Sequence, residues 1–388
     1  MFNSKVNKDQ EDIVLHNFLL LGLNHKLPFA IWSLPQSTDF TALLSEQGAS
    51  LQKLTIETSA PGFVVAPFRN NDNSYYICPD YFYSTQSGIL QGSQAQFNSS
   101  DFLEASEKTY ELPYLPGQTE TADEANYLQI VALAKEKIQQ GNIKKVVLAR
   151  KEIVNTGLLD LFELIKNIRA EYPSAFISLV FIPEFGLWIG ATPELLLEVS
   201  KDKTFKTVAL AGTQKNNPLG DISNVAWTQK EIEEQALVNR YIINCFKHLR
   251  LREYEDEGPR TVKAGNLLHL RTDFSVDMVK LNTPTLGSDM LTLLHPTSAV
   301  GGSPKEEALV FIDAYEGIDR QLFSGYIGPV NINGSTNLFV NLRCANLYKN
   351  KAVLFAGAGI TQDSDPAKEL LETSLKMSTI GKYLINDP

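Results

Sequence analysis

Apolar residues recur along the chain with two different periods, and the change of period separates predicted strands from predicted helices. Short apolar runs bounded by polar, glycine or proline residues predict strands in the N-terminal third at 29–34, 62–68 and 75–78. Later runs of the same kind predict strands at 143–150, 175–182, 185–190, 208–213, 267–271 and 323–330. Apolar spacings of three and four predict helices over 123–140, 158–172 and 226–248.

The order of these elements indicates an α+β fold, because strands and helices mix after residue 121 without regular βαβ units. From residue 16 to about 115 the pattern predicts only short strands, turns and loops. Prolines in 111–120 predict a linker. We therefore expect a variable N-terminal part, 1–115, and a second region, 121–388, that together form one continuous domain.

Composition excludes several classes of protein. The 388 residues carry a formal charge of −10 without a polybasic run, which argues against nucleic acid or an anionic membrane as a partner. The three cysteines lack the spacing of a zinc site or a disulfide framework. No signal peptide or membrane-spanning run is present, so we expect a cytoplasmic protein without a membrane partner.

Candidate chemistry is densest near the C-terminus, at 341–376. The pattern predicts a strand carrying Arg343, a second apolar strand, a turn at Gly357 and Gly359, and a helix. Asp365 is a natural N-cap with Pro366 at the first helical position, and Glu369, Glu372 and Lys376 then share one helix face. Such a set suits an acidic ligand and a divalent cation. A solvated helix with one ion pair is the alternative for these residues alone.

Four further charged or polar positions each allow two interpretations. Lys145 is either a gatekeeper on an edge strand or a desolvated base. Glu194 is either a half-desolvated acid or a glutamate in the first turn of a helix. Glu234 lies beside an apolar seam but also fits a solvated acidic turn. His269, in the middle of a strand, is more often structural than functional.

The segment from His295 to Glu306 predicts the start of another helix. Ser303 and Glu306 form a capping box, with Pro304 at the first helical position. The preceding Gly301-Gly302 pair is either an anion nest or a tight turn.

Taken together, these segments resemble the chorismate-utilising enzymes, which include isochorismate, salicylate, anthranilate and aminodeoxychorismate synthases. The likeness covers about 121–382 and depends on six ordered blocks: KVVLAR (145–150), GATPELL (190–196), LAGT (210–213), HPTSAVGG (295–302), FSGYIG (323–328), and AGAGI (356–360) with ELLET (369–373).

The resemblance implies two antiparallel sheets packed together, helices outside them, and an active site in a cleft between the sheets. It also implies Mg²⁺ held by Glu234 and Glu369, with chorismate as the substrate. The residues that would contact chorismate are Ala211, Gly212, Thr213, His269, Ala299, Arg343, Lys376 and the backbone of Gly357, Ala358 and Gly359.

Single positions separate the branches of that family. Members that use water resemble this chain in carrying lysine at Lys145, whereas ammonia-using members carry glutamine. Ala211 cannot supply the nucleophilic lysine of the covalent aminating branch, and alanine at Ala299 is typical of isochorismate synthases. Thr213 is less decisive, since a Gly-Thr pair also occurs in the salicylate and amino-forming branches.

These positions imply an isochorismate synthase with Lys145 as base and Glu194 as acid. Salicylate synthase and a catalytically silent chorismate-binding protein are the alternatives. We expect a monomer without a glutaminase subunit.

Overall fold

The computed structural model describes residues 1–69, 73–93, 96–106, 109–116, 124–215, 222, 225–264 and 267–385. Asp123 and residues 117–120 of the predicted linker lie outside these ranges. The described residues form strands β1 (Phe2–Lys5), β2 (Phe29–Ser33), β3 (Thr41–Leu44), β4 (Ser50–Gln52), β5 (Gly62–Ala66), β6 (Ser74–Ile77), β7 (Tyr81–Ser84), β8 (Ile89–Gly92), β9 (Lys145–Asn155), β10 (Phe176–Ile182), β11 (Gly186–Thr192), β12 (Leu195–Val199), β13 (Thr204–Lys215), β14 (Glu255–Ala264), β15 (Leu267–Asp277), β16 (Gly302–Ser303), β17 (Tyr326–Val330), β18 (Thr336–Val340), β19 (Cys344–Tyr348) and β20 (Lys351–Ile360).

Helices cover the outer faces of the strands. In the described residues they are α1 (Glu11–His25), α2 (Ser99–Leu103), α3 (Glu124–Gln139), α4 (Leu161–Glu171), α5 (Gln229–His248), α6 (Leu286–Leu294), α7 (Lys305–Tyr315) and α8 (Pro366–Leu384). No helix in these ranges has the length and apolar character needed to cross a membrane.

The strands form two large antiparallel sheets. The first has eleven strands in the order β1-β8-β7-β3-β2-β10-β11-β19-β20-β9-β16. The second has nine in the order β14-β15-β13-β12-β18-β17-β5-β6-β4. Strands from the N-terminal third belong to both sheets: β2 pairs with β10, and β5 pairs with β17. This architecture confirms the prediction of an α+β fold.

Aromatic side chains join the facing surfaces of the two sheets. Phe176 of β10 stacks on Phe339 of β18 with 4.2 Å between ring centroids, and Trp32 of β2 lies 5.1 Å from Phe63 of β5. Both pairs belong to one buried apolar cluster, which also includes Ala149 of β9. The face of β9 that carries Ala149, Val147 and Lys145 therefore turns towards the second sheet.

The N-terminal third contains a helix that the apolar pattern did not predict. α1 buries Val14, Leu15 and the run 17–22, so its apolar residues surround the helix rather than forming a stripe. A helix that is apolar on every side shows no clear period of 3.6 residues. The expectation of only strands and turns between residues 16 and 115 was therefore wrong.

The start of α7 also differs from its prediction. Pro304 is the N-cap rather than the first helical residue, and the helix begins at Lys305 without a capping hydrogen bond from a side chain. Ser303 instead belongs to β16, where it pairs with Lys145, and Gly302 pairs with Val146. A β-carbon on Gly302 would lie 2.3 Å from the carbonyl oxygen of Lys145. Glycine is needed at position 302 because β16 and β9 approach each other closely there. This close approach, rather than an anion nest or a tight turn, accounts for Gly302.

Candidate active site

A polar cavity lies between the two sheets, with α5 and α8 contributing to its wall. It is lined by twelve of the fourteen residues predicted for the site: Lys145, Glu194, Ala211, Gly212, Thr213, Glu234, His269, Ala299, Arg343, Gly357, Gly359 and Lys376. Glu369 and Ala358 do not line it. Several apolar wall residues were not predicted from the sequence, among them Leu210 and Val300, which directly adjoin predicted site residues. Ser324 was not predicted either.

Lys145 is a buried cation in the wall of this cavity. Its side chain is 2% exposed, and its Nζ lies 2.9 Å from Oε1 of Glu234. The pair lies directly over Gly359 of β20: a β-carbon there would be 2.2 Å from Oε1 of Glu234 and 2.8 Å from Cε of Lys145. Glycine is required at 359 because the ion pair occupies the space of a side chain. The burial of Lys145 does not fit a solvated gatekeeper.

Glu194 lies between β11 and β12, and its side chain is almost fully buried. The following residues, Leu195–Val199, form a strand, so the interpretation of Glu194 as a glutamate in the first turn of a helix is wrong. Burial raises the pKa of Glu194 to about 7, although Lys145, Arg343 and Lys376 act in the opposite direction. A carboxyl group with this pKa is protonated in a substantial fraction of molecules near neutral pH, as a general acid requires.

His269 is held by an irregularity in the second sheet. The register of β13 against β15 shifts between Ala211 and Gln214, and Gly212 has a left-handed backbone with φ of 69°. Nδ1 of His269 lies 2.7 Å from the carbonyl oxygen of Gly212, and this acceptor assigns the ring proton to Nδ1. Nε2 is buried without a hydrogen-bond partner among the described residues. It is thus available to accept a hydrogen bond from a ligand.

The electrostatic setting of His269 keeps the ring neutral. Burial and the positive charge of Arg343 lower its pKa to about 3. The ring therefore acts as a neutral hydrogen-bonding group at physiological pH and does not serve as a general acid.

Arg343 and Lys376 provide further positive charge in the wall of the cavity. Arg343 lies between β18 and β19 rather than within a strand, and its φ of 49° is left-handed, so the prediction of a strand carrying this residue was wrong. Lys376 lies 2.6 Å from Glu372 and donates a hydrogen bond of 2.9 Å to the carbonyl of Gly357. Burial alone would raise the pKa of Glu372, but the ion pair with Lys376 outweighs it and lowers that pKa. An anionic ligand would meet two cations here.

The glycines of β20 lie within a strand, not in the predicted turn. Gly357 and Gly359 pair with Ala149 and Val147 of β9, whereas β19 covers β20 only as far as Leu354. Because Gly357 accepts from Lys376, its polar backbone groups point to the uncovered edge, and those of Gly359, two residues on, point the same way. Ala358 points to the opposite face and packs in the apolar core, so the structure does not bring it into the cavity.

Glu234 and Glu369 are the carboxylates predicted to hold a divalent cation. Oε2 of Glu369 is buried and has no hydrogen-bond partner among the described residues. Within those residues no three His, Cys, Asp or Glu groups converge closely enough to hold a metal alone. Two carboxylates completed by water and substrate oxygens are a set that Mg²⁺ accepts. The donors therefore fit the predicted ion.

The chain is similar to known proteins over most of its length. The model of the family described as "Chorismate binding enzyme" matches residues 66–385. The isochorismate synthase EntC of Escherichia coli is 29% identical over 320 residues, which is 81% of this chain and 78% of EntC.

Two solved structures are similar over nearly the whole chain. A Bacillus anthracis protein assigned as the 2,3-dihydroxybenzoate-specific isochorismate synthase DhbC is 26% identical, with a TM-score of 0.71 over 95% of this chain and 99% of that one. The menaquinone-specific isochorismate synthase MenF of Escherichia coli has a TM-score of 0.78 over 99% of this chain and 94% of its own, at 20% identity, and supports the fold alone.

Proposed function

Because this chain belongs to the family of chorismate binding enzymes, we propose that it is an isochorismate synthase, which converts chorismate to isochorismate. The observation that carries the proposal is that a buried lysine, Lys145, and a buried acid, Glu194, line the same anion-binding cavity. A protein that only binds chorismate needs the cations of this cavity but has no use for a base paired with an acid. The names of the relatives EntC and DhbC support the same assignment.

The reaction assigns complementary roles to the two residues. Lys145 would act as the base that accepts a proton from the water molecule that attacks C2 of the ring. Glu194, in its protonated form, gives its proton to the hydroxyl that leaves C4 as water. The ring double bonds shift as water attacks C2 and the hydroxyl leaves C4. One water is consumed and one is released, and nothing is oxidised or reduced. A positioned acid or base typically contributes ~10²–10⁴-fold to the rate.

The remaining charged groups hold the substrate. Arg343 and Lys376 would bind the enolpyruvyl carboxylate, together with the backbone N–H groups of Gly357 and Gly359 at the open edge of β20. Nε2 of His269 would accept a hydrogen bond from the ring side of the substrate. Glu234 and Glu369 would hold a magnesium ion, which supplies charge neutralisation and orientation for the ring carboxylate.

Two related reactions are disfavoured by residues in the cavity wall. Ala211 has no amine, so the covalent route to an amino product is not available to it. Lys145 supplies the base that water needs and ammonia does not, so we expect no glutaminase partner. Salicylate synthases tend to carry threonine at the position of Ala299. In this chain the alanine lines the cavity wall. That the protein is a cytoplasmic monomer stays a prediction.

Product analysis tests the proposal. Purified protein is incubated with chorismate and Mg²⁺, and parallel reactions contain EDTA or added ammonium, with products separated by chromatography. We expect isochorismate as the main product, lost with EDTA and unchanged by ammonium. Salicylate with pyruvate, an amino product, or the absence of turnover by folded protein would each refute the assignment.

A further inference from the structure

Lys230 links α5 to α8 next to the cavity, although neither the predicted site nor the proposed reaction includes it. Its Nζ lies 2.5 Å from Oε1 of Glu369. Lys230 precedes Glu234 by one turn of α5, so the two side chains project from the same side of the helix. One helix thus presents a cation and a predicted metal ligand to the same buried carboxylate.

Glu369 is only half satisfied by this contact. Its side chain is 2% exposed, and Oε2 has no hydrogen-bond partner among the described residues. A buried carboxylate with one open oxygen is costly unless a further positive group approaches it. The unpaired Oε2 of Glu369, in addition to the acidic residues themselves, indicates that a cation binds at this site.

The ammonium of Lys230 contacts Glu369, the same carboxylate that a metal ion would bind. The carboxylates of Glu234 and Glu372 attract it as well. A divalent cation held by Glu234 and Glu369 would be attracted by the same three carboxylates and repelled by the ammonium. Both cannot remain at full contact with Glu369 without a large repulsion.

Lys230 differs from the other site lysines in its access to solvent. Its side chain is 25% exposed, compared with 2% for Lys145 and 13% for Lys376. A lysine carries its charge on four flexible methylenes, so the ammonium can move to water while the stem stays on the helix.

We propose that Lys230 is a displaceable counter-ion of the magnesium site. Its ammonium neutralises Glu369 while no metal is bound, and it moves out to solvent when Glu369 takes up the metal. The inference depends on the magnesium ligands of the proposed function and adds a residue to them. The metal-free protein is stabilised by this arrangement, whereas metal affinity is lowered, because binding must first break the contact between Lys230 and Glu369.

Lys230→Met removes the ammonium and keeps much of the apolar stem. Mg²⁺ binding is measured by titration calorimetry, alone and with chorismate in a Glu194→Gln background that suppresses turnover. Thermal unfolding is followed in EDTA and in saturating Mg²⁺. We expect Lys230→Met to bind Mg²⁺ roughly tenfold more tightly. In EDTA its unfolding midpoint should fall by roughly 3–6 °C, because a buried carboxylate loses its partner. In saturating Mg²⁺ most of that loss should be recovered.

Two further variants make the test specific. Lys230→Arg keeps the charge and offers a two-pronged contact to Glu369, so we expect wild-type stability in EDTA but weaker Mg²⁺ binding. Lys247→Met removes an exposed lysine from the same helix and should leave the metal affinity unchanged.

The possible outcomes separate this inference from the assignment of the metal site. Equal or weaker Mg²⁺ binding by Lys230→Met, with normal binding by wild type, overturns the role of Lys230 alone. Absence of Mg²⁺ binding by wild type under both conditions overturns the metal ligands themselves, and the counter-ion with them.

Discussion

Arg320 and Glu316 form an ion pair that is closed off from solvent, with both side chains only 3% exposed. The Arg320 guanidinium also donates to the carbonyls of Val147 and Val300, and Glu316 accepts from the backbone N–H of Ala149. The pair therefore fixes the strand that carries Lys145 and the loop that carries Ala299. It anchors the cavity without entering it.

Breaking this pair should destabilise the whole protein. Arg320→Met leaves Glu316 charged and buried, which typically costs about 3–5 kcal/mol, and this loss is measured by denaturant unfolding. Combining it with Glu316→Gln removes the uncompensated charge, so the double variant should recover part of the loss. A single variant as stable as wild type would show that solvent reaches the pair.

The proposed base is tested by Lys145→Ala. Without an amine to accept the proton from water, kcat should fall by ~10²–10⁴-fold, while chorismate binding, measured by calorimetry, remains detectable. Lys144→Ala, one residue earlier and exposed on the strand approach, is the matched control and should retain wild-type kcat. Equal activity of the two variants would remove Lys145 from the mechanism.

The pKa of Glu194 predicts the alkaline side of the pH profile. The acid must be protonated to act, and its pKa is about 7, so kcat should decline as the pH rises above 7. Glu194→Gln should lower kcat by ~10²–10⁴-fold and lose that decline in its residual activity. Glu184→Gln, in an exposed turn, is the control. Initial rates of the wild type and both variants are measured from pH 6 to 9. A wild-type kcat that stays constant across this range would contradict the assignment of Glu194 as the acid.

The same group should make stability depend on pH. The pKa of Glu194 is raised on folding from 4.5 to about 7, so its stabilising effect is fully present below pH 4.5 and is lost as pH rises through 7. At pH 8 the charged, buried carboxylate costs on the order of 3 kcal/mol, a cost that Glu194→Gln does not have. Unfolding midpoints should therefore favour the variant increasingly from pH 5 to pH 8. A constant difference would show that Glu194 is not buried as a neutral acid.

Gly359→Ala tests whether the ion pair above β20 needs its space. The new β-carbon would lie 2.2 Å from Glu234, so Glu234 and Lys145 must move, and both kcat and Mg²⁺ affinity should fall at least about tenfold. Gly301→Ala is the control, since its β-carbon would approach no atom closer than 3.4 Å and the residue does not line the cavity. If both alanine variants behave alike, the space over Gly359 is not decisive.

Much of the cavity was predictable from sequence because residues such as Lys145 and Glu194 occur in short ordered blocks. His269 and Arg343 lie outside those blocks and were assigned substrate contacts from the family resemblance, and the structure brings all four residues to one cavity. The surrounding fold class followed from the mixture of strand and helix periods. Local rules also gave the start of α8, where Asp365 caps the backbone of Lys368 and Pro366 is the first helical residue.

The errors occur where neighbours distant in sequence determine the backbone. Gly357 and Gly359 suggest a turn, but pairing with β9 keeps them extended. Arg343 resembles a strand residue, yet the crossing between β18 and β19 requires a left-handed conformation there. Lys230 was not singled out from the sequence, because its partner Glu369 comes from α8.

The pairing of β5 sets a limit on when this protein can acquire its native form during synthesis. All five residues of β5 are buried, and one edge of the strand pairs with β17, Tyr326–Val330. A ribosome releases residues 62–66 long before it makes their partner, so this apolar strand edge stays open for most of translation. Such long-range pairing forms slowly and exposes the chain to aggregation meanwhile. Completion of the second sheet is therefore a late event, because β5 cannot pair with β17 until the C-terminal strands have emerged.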